Sequence, residues 1–381
     1  MAYRSSWMTE ELDAFRDQFR RYLAKELAPR AEEWRKNKIV DRDAWRGVGA
    51  LGALLPSIPE AYGGLGATLA YEAAVIEDIV GILPDMSTPV SVHSTIVAHY
   101  ILNYGSEEQK RRWLPKMASG EMVGAIAMTE PGAGSDLQGV RTSAKRRGNA
   151  YVLNGQKTFI TNGQLADLVI VVARTGEAGA KGVSLLVVET ADAEGYRRGR
   201  NLDKIGLHAS DTSELFFENV RVPPENLLGG EEGQGFVQLM QQLPQERLFL
   251  ALGAVAATEE ALRVTIDYVK QRKAFGKPII EFQNTAFTLA ERKSEALIAR
   301  VFIDWCLERL IAGDLDTVTA SMAKYWCTDR QVETIDDCLQ LHGGYGYMRE
   351  YPIARMFVDA RIQKIYGGTN EIMKMIIARS L

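Results

Sequence analysis

Paired glycines near the C-terminus are the first feature of this sequence that could build a binding site. The stretch reads QKIYGGTNEIM over residues 363–373, with Gly367 and Gly368 between an aromatic residue and a Thr-Asn pair. Because glycine has no Cβ, paired glycines let the backbone approach a ligand closely. The stretch therefore predicts either a turn that wraps a cofactor or substrate, or only a turn before the last helix. If it is a site, the residue that does the chemistry has to be found elsewhere in the chain.

A second candidate is the loop AMTEPGAGSD at residues 127–136. Pro131 and two glycines predict a rigid turn with exposed amides, and Thr129 and Ser135 add hydroxyl groups on either side. Backbone N–H groups in such a loop can hold a polar planar ring or a phosphate. The same residues would also form an ordinary β-turn between a helix and a sheet, and the pattern alone favours that turn.

A third candidate is the string FITNG at residues 159–163. On a strand, Phe159 and Thr161 lie on the same face, because side chains alternate between the two faces. An aromatic ring next to a hydroxyl suits a flat heterocycle. The same pair suits any sheet core, so this string is weak evidence when taken alone.

A fourth candidate is QLPQERLFLALG at residues 242–253, which places Glu246 and Arg247 in a predicted helix just after Pro244. Taken alone, the glutamate reads as a charge in a first helical turn or at a kink. Two later strings, KQRKAFGKPIIEFQ and LQLHGGYGYMREYP, join Arg or Gln with glycines and aromatic residues. An Arg in the first string could pair with a pyrophosphate as a bidentate donor, although structural turns explain both strings as well.

The elements that must position these residues follow one another in three blocks. Amphipathic helical periodicity begins at Thr9 and dominates the first block. β-prone runs follow, and Asn154-Gly155 in YVLNGQKTFITNG predicts a tight hairpin turn. Long helical patterns then return and, because βαβ alternation is missing, a Rossmann fold is not predicted. We expect an α+β multidomain protein with a helical domain at 1–120, a β-domain at 121–231 and a second helical domain at 232–381.

Composition limits the possible classes of partner. The 381 residues are 46% hydrophobic and 25% charged with a net charge of −4, which gives no electrostatic reason to expect nucleic acid or an anionic membrane. Three cysteines without a CxxC pair and four scattered histidines favour neither a disulfide framework nor a metal site. No signal or transit peptide and no apolar run long enough for a membrane span is seen. The expected location is the cytoplasm.

Taken in order along the chain, these strings resemble the acyl-CoA dehydrogenase family. The resemblance covers essentially the whole chain, and the strings that carry it are EAYGGLG, TEPGAGSD, FITNG, RKAFGKPI, QLHGGYGY and IYGGTNEI. It implies an N-terminal helical domain, a middle β-barrel-like domain and a C-terminal four-helix-bundle domain. It also implies bound FAD, an acyl-CoA substrate, a homotetramer built as a dimer of dimers, and electron-transferring flavoprotein as the electron acceptor.

The implied reaction is α,β-dehydrogenation of an acyl thioester to the trans-2-enoyl product. A base removes the α-proton, preorganised donors stabilise the carbonyl oxygen, and the β-hydride passes to flavin N5. Many family members read IYEGT, with that glutamate as the base, whereas this chain has Gly367 at the same place. The long-chain and isovaleryl-type branch carries the base on a helix directly before an arginine, which here is Glu246. The resemblance therefore assigns the base to Glu246, a backbone N–H donor to Gly367, and a long-chain or branched acyl group to the substrate.

The resemblance also implies contacts with the cofactor and the substrate. Phe159 stands where the family usually has Trp, which preserves stacking but loses an indole N–H. The residues expected to contact FAD within one subunit are Ile126, Met128, Thr129, Gly134, Ser135, Phe159, Thr161, Thr369, Asn370 and Glu371. Those expected to meet the FAD pyrophosphate and adenosine of a neighbouring subunit are Arg272, Phe275, Gln283, Gln340, Gly343 and Gly344. Those expected to contact the substrate are Ser135, Leu243, Pro244, Arg247 and Gly368.

Two other functions stay open at this stage. The same fold could act on acyl groups held by a carrier protein or react with oxygen as an oxidase. A non-catalytic scaffold is the other alternative, suggested by the missing glutamate of the IYEGT pattern. The length and branching of the acyl group depend on helix packing around STPVSVHSTIV at residues 87–97, which the sequence does not determine. Thr369 and Asn370 are also expected to cap the last helix.

Overall fold

The computed structural model describes residues 3–381, and its N-terminal part is a layer of helices. The expected first domain, 1–120, begins with two residues that lie outside this described range. Thr9 caps the first helix by accepting a hydrogen bond from the amide of Leu12, and that helix buries Leu12 and Phe19. The helices of this layer are α1 (Glu10–Tyr22), α2 (Ala31–Asn37), α3 (Arg42–Ala50), α4 (Leu69–Ile82), α5 (Ser87–Ser91), α6 (Ala98–Tyr104) and α7 (Glu107–Ala118).

The middle of the chain forms a curled, mixed β-sheet. Its strands are β1 (Gly124–Ala127), β2 (Ser143–Arg147), β3 (Ala150–Thr161), β4 (Leu168–Arg174), β5 (Val183–Glu189), β6 (Tyr196–Asn201) and β7 (Thr212–Val222). They are ordered β1-β4-β2-β3-β7-β6, with β5 paired to β4 outside this path. β1 pairs with β4 in parallel, whereas β3 and β7 form a long antiparallel pair. β3 carries Phe159 and Thr161 at its C-terminal end.

The predicted hairpin turn at Asn154-Gly155 is wrong. β3 runs through both residues, and the chain reverses between β2 and β3 at residues 148–149 instead. Gly155 has a φ of +150° and lies at a register shift against β7, which marks a β-bulge. A Cβ on Gly155 would lie 2.5 Å from Oγ1 of Thr142. Glycine is therefore required here for close packing inside a strand, and not for a reversal of the chain.

The C-terminal part is again helical. Its helices are α8 (Gly235–Gln271), α9 (Gln283–Ala312), α10 (Thr317–Leu341), α11 (Pro352–Ala360) and α12 (Asn370–Ala378), with the short strands β8 (Lys273–Ala274) and β9 (Lys277–Pro278) between α8 and α9. α8 packs against α9 and α10 of its own block and against α4 of the N-terminal layer. It continues without a break past Pro244. Glu246 therefore lies inside a long helix and not in a first turn.

One hydrophobic core joins the three blocks. It contains Trp45 of the N-terminal layer, Ile170 of the sheet and Leu248 of α8, all of them fully buried. The blocks change between Ala118 and Gly124 and between Val222 and Gly235, around the proposed boundaries near 121 and 231. Over residues 3–381, no helix has both the length and the apolar character that crossing a membrane requires. A site located where the three blocks meet is thus held by elements that share a single core.

Candidate active site

A cavity of about 390 Å³ lies where the helical layer, the sheet and α8 meet. The sheet contributes β1 and the end of β3, the N-terminal layer contributes α4 and α5, and the turn at 366–368 closes the cavity from the C-terminal side. The predicted site residues that line it are Ile126, Met128, Thr129, Gly134, Ser135, Phe159, Thr161, Leu243, Glu246, Arg247, Gly367 and Gly368. The structure therefore brings both predicted catalytic residues and the predicted ring-binding residues into one cavity.

Glu246 is a buried carboxylate of this cavity, which Asp136 also lines. Its side chain is only 4% exposed, and its Oε1 accepts a hydrogen bond of 2.9 Å from the hydroxyl of Tyr100 on α6. Burial raises the pKa of Glu246 to about 7, while the hydrogen bond from Tyr100 and the positive charge of Arg247 act in the opposite direction. A carboxyl that titrates near neutral pH is suited to take up a proton and release it again.

Arg247 lies next to Glu246 on α8 and is equally buried. Its Nη1 is 3.4 Å from Oγ of Ser321, and its Nε has no hydrogen-bond partner among residues 3–381. Burial lowers the pKa of Arg247, although the neighbouring Glu246 carboxylate opposes this. A buried guanidinium with a free N–H is costly unless a ligand satisfies it. Arg247 therefore supports the view that the cavity binds a polar group.

The turn at Gly367 and Gly368 takes a backbone conformation that favours glycine. Its φ angles are +65° and +93°, in the left-handed region that residues with a Cβ rarely adopt. A Cβ on Gly367 would lie 2.3 Å from Cδ1 of Leu250, and a Cβ on Gly368 would lie 2.8 Å from Cε of Met373. The backbone geometry thus favours glycine at both positions, and a side chain there would require Leu250 or Met373 to move. Both glycines line the cavity.

Lys324 anchors this turn from α10. Its side chain is fully buried, and its Nζ donates to the carbonyl of Gly368 at 2.7 Å and to Oδ1 of Asn370 at 2.9 Å. Burial, with the nearby charge of Arg247, lowers the pKa of Lys324 to about 7. Thr369 caps α12 by accepting a hydrogen bond from the amide of Ile372, as predicted. The double-glycine turn is therefore fixed at the carbonyl of Gly368 and at the start of α12.

The loop at 127–136 is held by a buried ion pair. Nζ of Lys157, on β3, lies 2.8 Å from Oε1 of Glu130 and donates to the carbonyl of Met128 at 3.0 Å. Glu130 also accepts hydrogen bonds from the amides of Arg141 and Thr142. Because both charged groups are paired and hydrogen-bonded inside the protein, they fix this loop to the sheet. Its cavity-facing backbone is thus preorganised for a ligand.

Phe159 allows a test of whether the cavity fits FAD. Its ring is 68% exposed although it lines the cavity, and its φ of +60° places the backbone in the left-handed region. Such a conformation costs a non-glycine residue roughly 1–3 kcal/mol and is typical of ligand sites. An exposed aromatic ring in a cavity that Thr161 and the loop at 127–136 also line is suited to a flat ring system. The residues present therefore fit the flavin that the resemblance implies.

Six predicted residues lie on another part of the molecule, which we call the end face: Arg272, Phe275, Gln283, Gln340, Gly343 and Gly344. The end face lies about 40 Å along α8 from Glu246, since Arg272 follows it by 26 positions in the chain and a helix rises about 1.5 Å per residue. The Arg272 guanidinium lies 5.5 Å from the centre of the Tyr345 ring, and Phe275 is 96% exposed with a φ of +50°. The chain thus keeps this group apart from its own cavity.

Four other predicted site residues are not found among the residues that line the cavity in the described chain: Pro244, Thr369, Asn370 and Glu371. The expectation that Asn370 caps α12 is wrong, because its amide lies 1% exposed and donates to Oδ1 of Asp329 and Oγ1 of Thr328. Asn370 instead ties α12 to α10. These contacts depend on packing between two helices and leave no signal in the local sequence.

Three residues of the site were not predicted from the sequence. Tyr100 donates a hydrogen bond to Glu246, Lys324 donates one to the glycine turn, and Leu250 lies beside Gly367. The segment 87–97 was expected to influence the depth of the pocket, and Thr88, Ser91, Val92 and Ile96 do line the cavity. A tyrosine in the apolar run HYIL and a lysine in SMAKYW were the available signals. Each looks like an ordinary helix residue until its partner is known.

Comparisons with known proteins cover nearly the whole chain. The family models described as acyl-CoA dehydrogenase N-terminal, middle and C-terminal domains match residues 9–121, 125–220 and 233–381. The mitochondrial long-chain specific acyl-CoA dehydrogenase of Sus scrofa is 51% identical over 98% of this chain and 87% of its own length. An acyl-CoA dehydrogenase structure from Geobacillus kaustophilus has a TM-score of 0.96 at 47% identity and covers 99% of both chains. A structure described as the electron transferring flavoprotein of Acidaminococcus fermentans has a TM-score of 0.94 at 35% identity, covering 100% of this chain and 99% of that one.

Proposed function

The chain belongs to the acyl-CoA dehydrogenase family, in its long-chain branch, and from this premise we propose how its own residues dehydrogenate a long-chain or branched acyl-CoA. The observation that carries the proposal is the buried Glu246 carboxylate in the same cavity as the Gly367–Gly368 turn. FAD is the cofactor of this family, and when bound it supplies the acceptor for the substrate hydride.

Glu246 is the proposed α-proton base. The α-proton of a thioester is weakly acidic, so its removal needs a positioned carboxylate away from bulk water. Tyr100 holds Oε1 of Glu246, which orients the carboxylate and favours its ionised form. With a pKa of about 7, Glu246 is ionised over the alkaline half of the physiological range. The presence of this base inside the cavity favours an enzyme over a scaffold.

The glycine turn is the proposed binding site for the thioester carbonyl. As the α-proton leaves, the carbonyl oxygen gains negative charge, which preorganised N–H donors stabilise. We assign this role to the N–H of Gly367. Lys324 fixes the turn by its hydrogen bond to the carbonyl of Gly368, so the donor does not have to reorganise during the reaction. Arg247 adds positive charge beside the base and the turn.

Most of the remaining predicted contacts lie either in the cavity or on the end face, and Pro244, Thr369, Asn370 and Glu371 lie in neither. Met128, Thr129, Ser135, Phe159 and Thr161 would hold the flavin ring in the cavity, since all of them line it. The end face would meet the FAD of a second subunit, because its exposed aromatic and cationic residues lie far from the cavity of their own chain. The proposed cofactor site is therefore completed by assembly.

An apolar surface on α9 supports the proposed homotetramer. Leu297, Ile298, Val301 and Trp305 are between 44% and 59% exposed and lie within about two turns of this helix. Contiguous exposed apolar side chains of this kind are typical of protein–protein interfaces. A sedimentation experiment that finds only monomer at micromolar concentration would contradict this assembly. Electron-transferring flavoprotein is the proposed electron acceptor, which the family relationship supports.

The function is tested with a series of acyl-CoAs of different length and branching. We expect long-chain or branched acyl-CoAs to bleach the flavin absorbance under anaerobic conditions, and the product to be the trans-2-enoyl-CoA. The same acyl groups on a carrier protein, and the same reaction under oxygen, separate this function from its alternatives. Bleaching only by carrier-bound acyl groups, or rapid turnover with oxygen alone, would refute the assignment.

Tyr100→Phe is expected to move the acid limb of the pH–kcat/KM profile to higher pH. The Tyr100 hydroxyl stabilises the ionised form of Glu246 and so lowers its pKa. Its removal raises this pKa, by about one pH unit for a hydrogen bond to a charged group. The variant should therefore lose more activity at pH 6 than at pH 9.

Tyr104→Phe is the matched control, because the Tyr104 hydroxyl donates to the carbonyl of Gln238 at 3.2 Å and not to Glu246. An unshifted limb in Tyr100→Phe would refute the assigned role.

A further inference from the structure

Two buried cationic side chains approach Gly368 from different helices. From α10, Nζ of Lys324 donates to the carbonyl of Gly368 at 2.7 Å. From α8, Nη2 of Arg247 would lie 3.9 Å from a Cβ placed on Gly368. Ser321, which precedes Lys324 by three positions on the same face of α10, contacts Nη1 of Arg247. Since Gly368 lines the cavity, a negative group bound beside this glycine would lie near both cations.

Lys324 is fully buried without an ion pair among residues 3–381. Its two hydrogen-bond acceptors, the carbonyl of Gly368 and Oδ1 of Asn370, are uncharged. The Asp329 carboxylate, on the same helix, is already paired with Lys364 at 2.8 Å. The main charged groups that act on Lys324 are Arg247, Asp329, Glu371 and Lys364, two of each sign. Burial of an ammonium group without a counter-ion is costly.

A purely structural role does not explain why this position carries a lysine. Asn370 already ties α12 to α10, because its amide donates to Oγ1 of Thr328, Oδ1 of Asp329 and the carbonyl of Tyr325. An apolar side chain at position 324 would avoid the cost of burying a charge. The buried charge beside a glycine that lines the cavity instead suits an anion that forms in the cavity.

We propose that Lys324, together with Arg247, stabilises the thioester enolate at the double-glycine turn, which makes Lys324 a positioning residue for removal of the α-proton. In this step the bond between the α-carbon and its hydrogen breaks, the proton passes to Glu246, and the electron pair stays on the thioester as the enolate. This inference rests on the proposed function, because the thioester carbonyl must lie at the turn.

The charge of Lys324 matters more for the enolate than for the neutral thioester. A fixed positive charge gains little from a neutral carbonyl and much more from the oxygen that becomes negative. Burial, with the nearby charge of Arg247, lowers the pKa of Lys324 to about 7. An anion beside the turn would raise this pKa again, so Lys324 keeps its proton while the enolate is present. The site should therefore bind enolates in preference to neutral thioesters.

The test measures the apparent pKa of a bound 3-ketoacyl-CoA, whose α-proton lies between two carbonyls and leaves to give a stable enolate. The ligand is 3-ketohexadecanoyl-CoA, its enolate is followed by ultraviolet absorbance, and the protein is the Glu246→Gln holoenzyme, in which no carboxylate at position 246 titrates. The apparent pKa should lie below that of the free ligand. Adding Lys324→Met should raise it by about one pH unit, which is a tenfold loss of enolate.

Lys204→Met in the same background is the matched control. Nζ of Lys204 also donates to a backbone carbonyl at 2.7 Å, that of Ser210, but Lys204 lies on the loop between β6 and β7 and not beside Gly368. It should leave the apparent pKa of the bound ligand unchanged. Lys324→Gln, which keeps an N–H donor without the charge, replaces Lys324→Met if the latter fails to bind FAD. An unshifted pKa in a flavin-containing variant at position 324 would overturn the proposal.

Turnover separates this inference from the proposed function. With Glu246 intact, Lys324→Met should lower the kcat for palmitoyl-CoA about tenfold and change its KM less than about threefold, because the negative charge exists only once the α-proton is leaving. A parallel rise of KM with unchanged kcat would contradict the assigned role. Dehydrogenation by the wild type without the pKa shift would refute this inference alone. Failure of the wild type with every acyl-CoA would instead refute the proposed function.

Discussion

Glu246→Gln is expected to lower the kcat of acyl-CoA dehydrogenation by about 10³-fold or more, since it removes the general base. Glutamine keeps the shape of the side chain and an oxygen that can accept the hydrogen bond from Tyr100. It has no carboxylate to take the α-proton. The variant should therefore retain bound FAD and bind acyl-CoA, as measured by flavin absorbance and by spectral titration, while turnover is lost.

The stability of Glu246→Gln separates loss of chemistry from loss of structure. Burial raises the pKa of Glu246 from its ordinary value to about 7. Stability from the neutral carboxyl is therefore fully present below the unfolded pKa and is lost as the pH rises through 7. Glutamine avoids this loss, so the variant should be more stable than the wild type at pH 8, by up to about 3 kcal/mol. At pH 5 the difference should be small.

Glu72→Gln is the matched control for this experiment. Glu72 is a fully buried glutamate of α4 that contacts His99 and Ser57 and does not line the cavity. Its substitution should leave kcat within a few-fold of the wild type, because no reacting group is lost. Near-normal turnover in Glu246→Gln, or a similar collapse of kcat in a folded Glu72→Gln, would remove Glu246 from the role of base.

The sequence predicted the parts of this protein that depend on local order along the chain. Helical and β periodicity and the three-block order follow from patterns only a few residues long. The loop at 127–136 and the turn at Gly367 were also recognisable, because proline and glycine restrict or free the backbone wherever they stand. Asn154-Gly155 shows the limit of this approach. The same dipeptide serves a hairpin turn or a bulge, and only the partner strand β7 decides which.

The unpredicted parts of the site depend on contacts between distant segments. Tyr100 and Glu246 are 146 positions apart in the chain, and Lys324 and Gly368 are 44 apart. Their meeting depends on how α6, α8 and α10 pack, and no spacing rule covers such distances. The expected capping role of Asn370 is wrong for the same reason, since its hydrogen-bond partners Thr328 and Asp329 lie on α10. The pKa values of Glu246 and Lys324 follow from this burial and are equally absent from the local sequence.

The same packing gives a geometric reason why two positions can carry the base. A Cβ on Gly367 would point at Leu250, which follows Glu246 by one helical turn on α8. Side chains four residues apart share one face of a helix. A carboxylate at position 367 would therefore approach the region that the Glu246 side chain occupies. Leu250 fills the space that such a side chain needs, and the φ of +65° adds strain for any residue other than glycine.

Moving the carboxylate to position 367 is therefore expected to restore activity only when Leu250 is shortened. Glu246→Ala should lose about 10³-fold in kcat, and alanine avoids the cost of about 1 kcal/mol that glycine would add inside α8. Adding Gly367→Glu together with Leu250→Ala should raise kcat again by at least about tenfold over Glu246→Ala, because the new carboxylate faces the same α-carbon.

The control is the triple variant Glu246→Ala, Leu250→Ala and Gly367→Gln, since it has the same space and backbone strain but no base. A triple variant that keeps FAD and recovers nothing over this control would show that the two positions do not share one substrate geometry. Recovery would instead show that the double-glycine turn has space for the base once Leu250 is removed, and that in this chain α8 carries the base.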